Sequence, residues 1–154
     1  MSDIFSAIDI LSQLISFDTT SSKSNKPMIN FISEILDKHN ISCNIGSNKE
    51  GTKGDLIATI GPMVEGGVIL SGHTDTVPVE GQNWDSDPFK LTQKNKLVFG
   101  RGSCDMKGFI AVVLSLIPEI QTLKLKVPIH LAFSYDEEVG CLGAPGLIAR
   151  LIRD

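Results

Sequence analysis

Apolar residues recur at three- and four-residue intervals over the first forty positions, and this spacing predicts two amphipathic helices. The apolar face of the first helix holds Ile4, Ile8, Leu11, Leu14 and Ile15. A polar turn over residues 19–26 follows. The second helix is predicted to start at Pro27, with Ser24 or Asn25 as the capping candidate. Its apolar face holds Met28, Phe31, Ile32, Ile35 and Leu36.

From residue 41 onward the pattern changes to short apolar runs bounded by glycines and polar turns, which is typical of strands. Runs at 41–45, 56–60 and 68–70 predict three strands, runs at 89–92 and 97–99 predict a hairpin, and 127–133 predicts another buried strand. Residues 106–116 are apolar nearly all round and predict a buried helix. A last helix is expected to begin near Pro145. This order predicts an α/β fold with a mostly parallel sheet flanked by helices.

Residues suited to metal binding and proton transfer follow two of the predicted strands or open the buried helix. His73 and Asp75 come after one strand, Glu137 and Glu138 come after another, and Asp105 opens the helix. Ligands of open α/β sheets gather beyond the carboxyl ends of the strands. We therefore expect these five side chains to meet at one end of the sheet.

Each of these motifs also has a purely structural interpretation. His73 and Asp75 alone are more often part of a surface turn, Asp105 could be a helix N-cap, and the acids at 136–138 could be a solvated turn. The glycines around Asp105 instead favour a crowded backbone. Together the motifs supply one imidazole and several carboxylates, a ligand set that suits zinc, cobalt or manganese. Two such ions sharing a carboxylate are a known arrangement for hydrolysis.

Composition narrows the classes of partner and compartment. The 154 residues are 42% hydrophobic and 21% charged, with a formal net charge of -4. No basic cluster is present, so nucleic acid is not expected as a partner. The three cysteines form no CxxC pair, which favours a reducing compartment. The apolar run at 109–117 is too short to span a membrane, and the N-terminus lacks the basic region of a signal peptide. We expect a cytoplasmic protein.

The combined motifs resemble the M20 family of metal-dependent amidohydrolases and peptidases. The likeness runs over essentially the whole chain. It is carried by Gly72-His73-Thr74-Asp75, Gly81-Gln82-Asn83-Trp84, Asp105-Met106-Lys107-Gly108 and Asp136-Glu137-Glu138-Val139-Gly140. The resemblance implies a zinc-peptidase-like catalytic domain that binds two divalent ions, zinc or cobalt, and hydrolyses a small N-acylated amino acid.

The resemblance also implies a role for each residue. His73 would bind one metal, Asp105 would bridge both metals, and Glu138 would bind the second. Asp75 would orient the site beside His73, and Glu137 would be the general base. For the other candidates the plainer interpretations are preferred: His130 as a core histidine and Cys104 as a small buried residue.

The chain departs from the family in its length. Family members are more than twice as long, so residues 1–154 correspond to the N-terminal part of a catalytic domain that is incomplete at its C-terminal side. By this resemblance, we expect a further acidic ligand, a distal histidine, and the lid and dimerisation domain to lie outside these 154 residues. Two hypotheses follow. The chain is an amide hydrolase that needs a complementing C-terminal chain or a homo-oligomer, or it is a non-catalytic remnant.

Overall fold

The computed structural model describes residues 6–153. Its elements, in chain order, are α1 (Ala7–Ser16), α2 (Lys26–Lys38), β1 (Cys43–Ser47), β2 (Gly54–Ile60), β3 (Val68–His73), β4 (Thr92–Lys94), β5 (Leu97–Phe99), α3 (Lys107–Ser115), α4 (Ile117–Thr122), β6 (Ile129–Ser134) and α5 (Ala144–Arg153). The predicted helices and strands are present, except that the first hairpin strand, predicted at 89–92, lies at Thr92–Lys94, where it pairs with β5 across a turn at residues 95–96. The helix α4 is an addition. Ile4, assigned to the first helix, lies outside the described residues.

The main sheet has the strand order β1-β2-β6-β3, and β4 and β5 form a separate hairpin. The α/β class is confirmed, but the expectation of a mostly parallel sheet is wrong. β2 pairs antiparallel with both β1 and β6, and only β3 pairs parallel with β6. A parallel pair needs a long crossover connection, usually helical. Short loops join β1 to β2 and β2 to β3, so these strands reverse direction, whereas α3 and α4 lie between β3 and β6.

Alternating side chains of the sheet divide between two cores. On one face Leu56, Leu131 and Phe133 are fully buried against apolar residues of α1, α2 and α3. α3 was expected to be buried all round, and this is wrong for its outer side. Phe109 and Val112 are exposed there, because no described element covers that side of the helix. One layer of helices therefore closes this face.

Among the described elements, α5 alone covers the opposite face. Leu147 packs against Ile57 of β2 and Ala132 of β6 in a small second core. Arg150 fixes the helix further through a salt bridge to the buried carboxylate of Asp55. α5 leaves Ile69 of β3 more than half exposed. This face is open beside the edge strand β3.

None of the helices in residues 6–153 combines the length and apolar character that crossing a bilayer requires.

Candidate metal centre

The parallel pairing of β3 with β6 places the predicted residues side by side. In this register His73, the last residue of β3, is opposite Ser134, the last residue of β6. The loop after β6 begins next to His73 and contains Asp136, Glu137 and Glu138, here called the acid loop (residues 136–138). His73 and Glu137, 64 residues apart in the sequence, therefore lie close together at one end of the sheet.

Asp75 accepts hydrogen bonds from both glutamates of the acid loop. Its Oδ1 accepts from the backbone N–H of Glu137 at 3.0 Å and its Oδ2 from that of Glu138 at 3.2 Å. The hydroxyl of Ser21 also donates to Oδ2, at 2.7 Å. Burial opposes ionisation of this carboxyl group, which is 1% exposed. The hydrogen bonds, first of all that with His73, outweigh it and lower the pKa of Asp75 to about 2.

His73 is buried and held at both ring nitrogens. Nδ1 lies 3.0 Å from the backbone carbonyl oxygen of Asp75 and 3.5 Å from its carboxylate Oδ1. Nε2 lies 3.0 Å from Oδ1 of Asp105. The hydrogen bond with Asp75 is the largest cause of a pKa raised to about 9, against the opposing effect of burial. Because Nδ1 is engaged with Asp75, Nε2 is the nitrogen directed at the carboxylates.

Asp105 reaches His73 from a crowded segment. Two of its positions, Gly102 in the loop and Gly108 in the first turn of α3, have no room for a side chain. At Gly102 φ is +79°, and a Cβ would lie 2.8 Å from Cγ2 of Thr76. At Gly108 a Cβ would lie 2.3 Å from the carbonyl oxygen of Ser103. The Asp105 side chain is 73% exposed, so it is available to a ligand. The glycine-dense motif is thus a close backbone approach, as its sequence indicates.

Lys107 anchors this loop to the helix layer. Its side chain is fully buried, and its Nζ donates to the carbonyl oxygens of Leu14 and Phe17 at the end of α1, at 3.0 and 2.7 Å. Burial lowers the pKa of Lys107 to about 8. The structure places the ammonium group in the core, directed away from the site.

The two glutamates complete a cluster of ligand atoms. Within the described residues, one ligand atom each of His73, Glu137 and Glu138 lies within 4.8 Å of the others. Glu137 Oε2 is 3.8 Å from Nε2 of His73, and its side chain is about half exposed. Burial, together with the negative charge of Asp105, raises the pKa of Glu138. An imidazole nitrogen facing crowded carboxylates fits a divalent cation.

All five predicted residues therefore lie together, but sequence reasoning missed the residues that support them. Ser21 lies in a polar turn with no distinguishing signal, and Lys53 precedes β2 without any motif. Two other expectations are corrected: Cys104 is exposed, not a buried apolar residue, and His130 is only partly buried, with its Nδ1 2.9 Å from Oγ1 of Thr59.

Comparison with known proteins identifies the family of the chain. A family model described as peptidase family M20/M25/M40 matches residues 69–154. The chain belongs to this family. It is 37% identical over 145 residues to acetylornithine deacetylase of Buchnera aphidicola subsp. Schizaphis graminum, covering 90% of this chain and 38% of that relative. It is 38% identical over 129 residues to acetylornithine deacetylase of Proteus mirabilis, covering 82% and 33%.

Solved structures show the same fold. An M20 family metallo-carboxypeptidase from Sulfolobus solfataricus matches with a TM-score of 0.82 and 21% identity, over 99% of this chain and 35% of its own. Human carnosine dipeptidase 1 matches with a TM-score of 0.77 and 20% identity, over 94% and 34%. The chain thus spans about two fifths or less of the length of the four proteins named here.

Proposed function

We propose that this chain carries the metal-binding part of an amide hydrolase that converts N2-acetyl-L-ornithine and water to L-ornithine and acetate. The observation that supports it most directly is the cluster of His73, Glu137 and Glu138 with Asp105 beside the same imidazole. The two relatives named above as acetylornithine deacetylases support the substrate. The neighbouring peptidases support amide hydrolysis more broadly.

The donor atoms suggest how two divalent ions, zinc or cobalt, would be held. His73 would bind one ion through Nε2, Glu138 would bind the other, and Asp105 would bridge them. Such ions, when bound, lower the pKa of water and polarise an amide carbonyl. Asp75 would hold the imidazole and both glutamate backbones in place through the hydrogen bonds described above.

Glu137 is the candidate general base. Its carboxylate is directed toward the cluster yet half exposed, so it can meet both water and substrate. It would accept a proton from the attacking water and deliver it to the leaving amine nitrogen. A carboxylate is a weak base in bulk water. It would suit this role beside two cations, because they would lower the pKa of the water molecule that gives up the proton.

A second candidate function is non-catalytic metal binding, which the number of ligands favours. Among the described residues each ion would have two protein ligands, counting Asp105 for both. Catalytic zinc usually has three. We therefore expect the isolated chain to bind metal weakly and not to turn over substrate.

The test adds a second polypeptide, taken from a relative, that would provide the further metal ligands. The purified chain, loaded with Zn²⁺ or Co²⁺, is incubated with N2-acetyl-L-ornithine alone or with the C-terminal part of the Buchnera relative that follows the matched segment. Ornithine release is expected only with both polypeptides, and it should be lost in Glu137→Gln. An inert mixture whose polypeptides form a complex would instead support the non-catalytic function.

Two further outcomes would contradict specific parts of the proposal. Turnover by the isolated chain that Glu137→Gln abolishes would show that two protein ligands for each ion suffice. Faster release from an N-succinylated amino acid than from N2-acetyl-L-ornithine would show that the substrate is assigned wrongly.

A further inference from the structure

Lys53 joins two segments of the site without contacting the predicted ligands. It precedes β2 and is 7% exposed. Its Nζ donates to the carbonyl oxygen of Ser21 at 2.6 Å and to Oδ1 of Asp136 at 2.8 Å. The ion pair with Asp136 is largely buried on both sides. A buried ammonium group thus bridges the polar turn before α2 and the first residue of the acid loop.

These contacts belong to a closed ring. Asp136 begins the acid loop, whose two glutamate N–H groups donate to Asp75. Asp75 in turn accepts from the hydroxyl of Ser21, and the carbonyl of Ser21 accepts from Lys53. Four segments separated in sequence are therefore linked in a cycle. Removing the ammonium of Lys53 would open the cycle at its only charged donor.

The acid loop needs such a restraint. Asp136 has a φ of +56°, in the left-handed region that residues other than glycine rarely adopt. A residue there persists when surrounding contacts fix it. A buried ion pair adds little to global stability, since desolvation offsets the attraction between the charges. The ion pair can still fix the direction of the neighbouring backbone groups, because this effect does not depend on how much the pair adds to the free energy of unfolding.

We propose that Lys53 is a positioning residue that fixes the orientation of the acid loop and thereby directs Glu137 and Glu138 toward His73. This deepens the proposed function, since it concerns the ligand set of the same site. The alternative is that Lys53 only stabilises the turn before β2. That turn is held by backbone atoms of Lys53, through Asn48 and Ser47, and these contacts survive substitution of its side chain.

The first experiment requires neither metal nor activity. Amide hydrogen exchange of the 154-residue chain is followed by NMR for the wild type and for Lys53→Met, which keeps the length of the apolar stem. Exchange at Glu137 and Glu138 should accelerate at least tenfold, while that at Leu131 in β6 stays unchanged. The control is Lys26→Met, which removes an exposed ammonium that bonds the carbonyl of Gly51 and should leave both glutamates unaffected.

A double variant separates positioning from an unpaired charge. Lys53→Met with Asp136→Asn removes both charges, so the free energy of unfolding should return toward the wild-type value. Protection of the Glu137 and Glu138 amides should stay low. Restored protection in the double variant would overturn the proposal, as would unchanged or uniformly faster exchange in Lys53→Met.

Cobalt binding provides the second readout. Titration with Co²⁺, followed by its visible absorption, should show at least a tenfold weaker affinity for Lys53→Met than for Lys26→Met. Equal affinities would count against positioning. A wild-type chain that binds no Co²⁺ would contradict the proposed metal site, whereas the exchange measurement would still decide the role of Lys53.

Discussion

At the scale of single residues, Asp75 has more contacts in the site than its predicted role required. The sequence indicates that it orients His73, and the structure adds hydrogen bonds from the two glutamate backbones and from Ser21. One carboxylate therefore connects β3, the acid loop and the turn before α2. Its charge also sets the proton occupancy of the imidazole.

Asp75→Asn should remove a pH dependence of stability in the metal-free chain. His73 has a folded pKa of about 9 against 6.5, so its contribution is complete below pH 6.5 and lost as pH rises to 9. The pKa of Asp75 is about 2 in the folded state against 3.8 in the unfolded state. Its contribution to stability is therefore complete above pH 3.8 and is lost as the pH falls toward 2. Urea unfolding with a chelator present should show the wild type more stable by roughly 2–3 kcal/mol at pH 6.

The gap between the two proteins should narrow between pH 6.5 and 9, because the imidazole then loses its proton in the wild type. His39→Gln provides the control. This residue follows α2 outside the site, so its variant should keep the wild-type slope. Parallel curves for wild type and Asp75→Asn over this range would mean that the two side chains are not coupled.

The meeting of the five predicted residues at one end of the sheet could be expected from sequence, whereas the residues that support them could not. Position after a strand or before a helix locates His73, Glu137 and Asp105, because parallel strand ends meet at one edge. Ser21 and Lys53 act through a hydroxyl and an ammonium on partners 54 and 83 residues away. No local periodicity or motif records such contacts, which exist only once the sheet is assembled.

At the scale of elements, the apolar spacing located the helices well but not the strand directions. The alternation of strands and helices predicted parallel pairing, yet residues 43–73 contain three strands with no helix between them. Connections this short predict that consecutive strands run in opposite directions. The outer side of α3 could not be predicted, because its residues are as apolar as the buried ones.

α5 supplies a sharp test of element packing, since it is the only described helix on its face of the sheet. Leu147→Ala should destabilise the chain by about 2–3 kcal/mol, because it removes the side chain at the centre of the small core with Ile57 and Ala132. Ile148→Ala, one position along and half exposed, should change the free energy of unfolding by less than about 0.5 kcal/mol. Equal effects in thermal or urea unfolding would mean that α5 does not pack as described.

At the scale of the whole molecule, one side of the sheet remains open. β3 is an edge strand without charge or proline before His73, and edge strands of this kind pair readily with other chains. Beside it lies a cleft of about 650 Å³ lined in part by Ile69, Met63 and Ile152, all exposed. We propose that a second copy of the chain or a complementing chain binds at this surface.

Sedimentation of the purified chain should therefore show association that depends on concentration in the micromolar range. Ile69→Lys should shift the equilibrium toward monomer by placing a charge on the edge strand. Leu97→Lys, at a similarly exposed apolar position of the separate hairpin, is the matched control and should leave association unchanged. A wild-type chain that stays monomeric at about 100 µM, within the range in which unpaired strand edges and exposed apolar surface drive association, would contradict this prediction.

The parallel pairing of β3 with β6 has a consequence for folding kinetics. Asp75 and Glu137 lie 62 residues apart, and His73 and Asp105 lie 32 apart, so the ligand set forms only after the crossover has closed. Long-range parallel contacts form late, after their loop-closure entropy has been overcome. Bound zinc should therefore slow unfolding in stopped-flow experiments while leaving the refolding rate unchanged. Faster refolding with zinc would mean that the ligands meet before the sheet does.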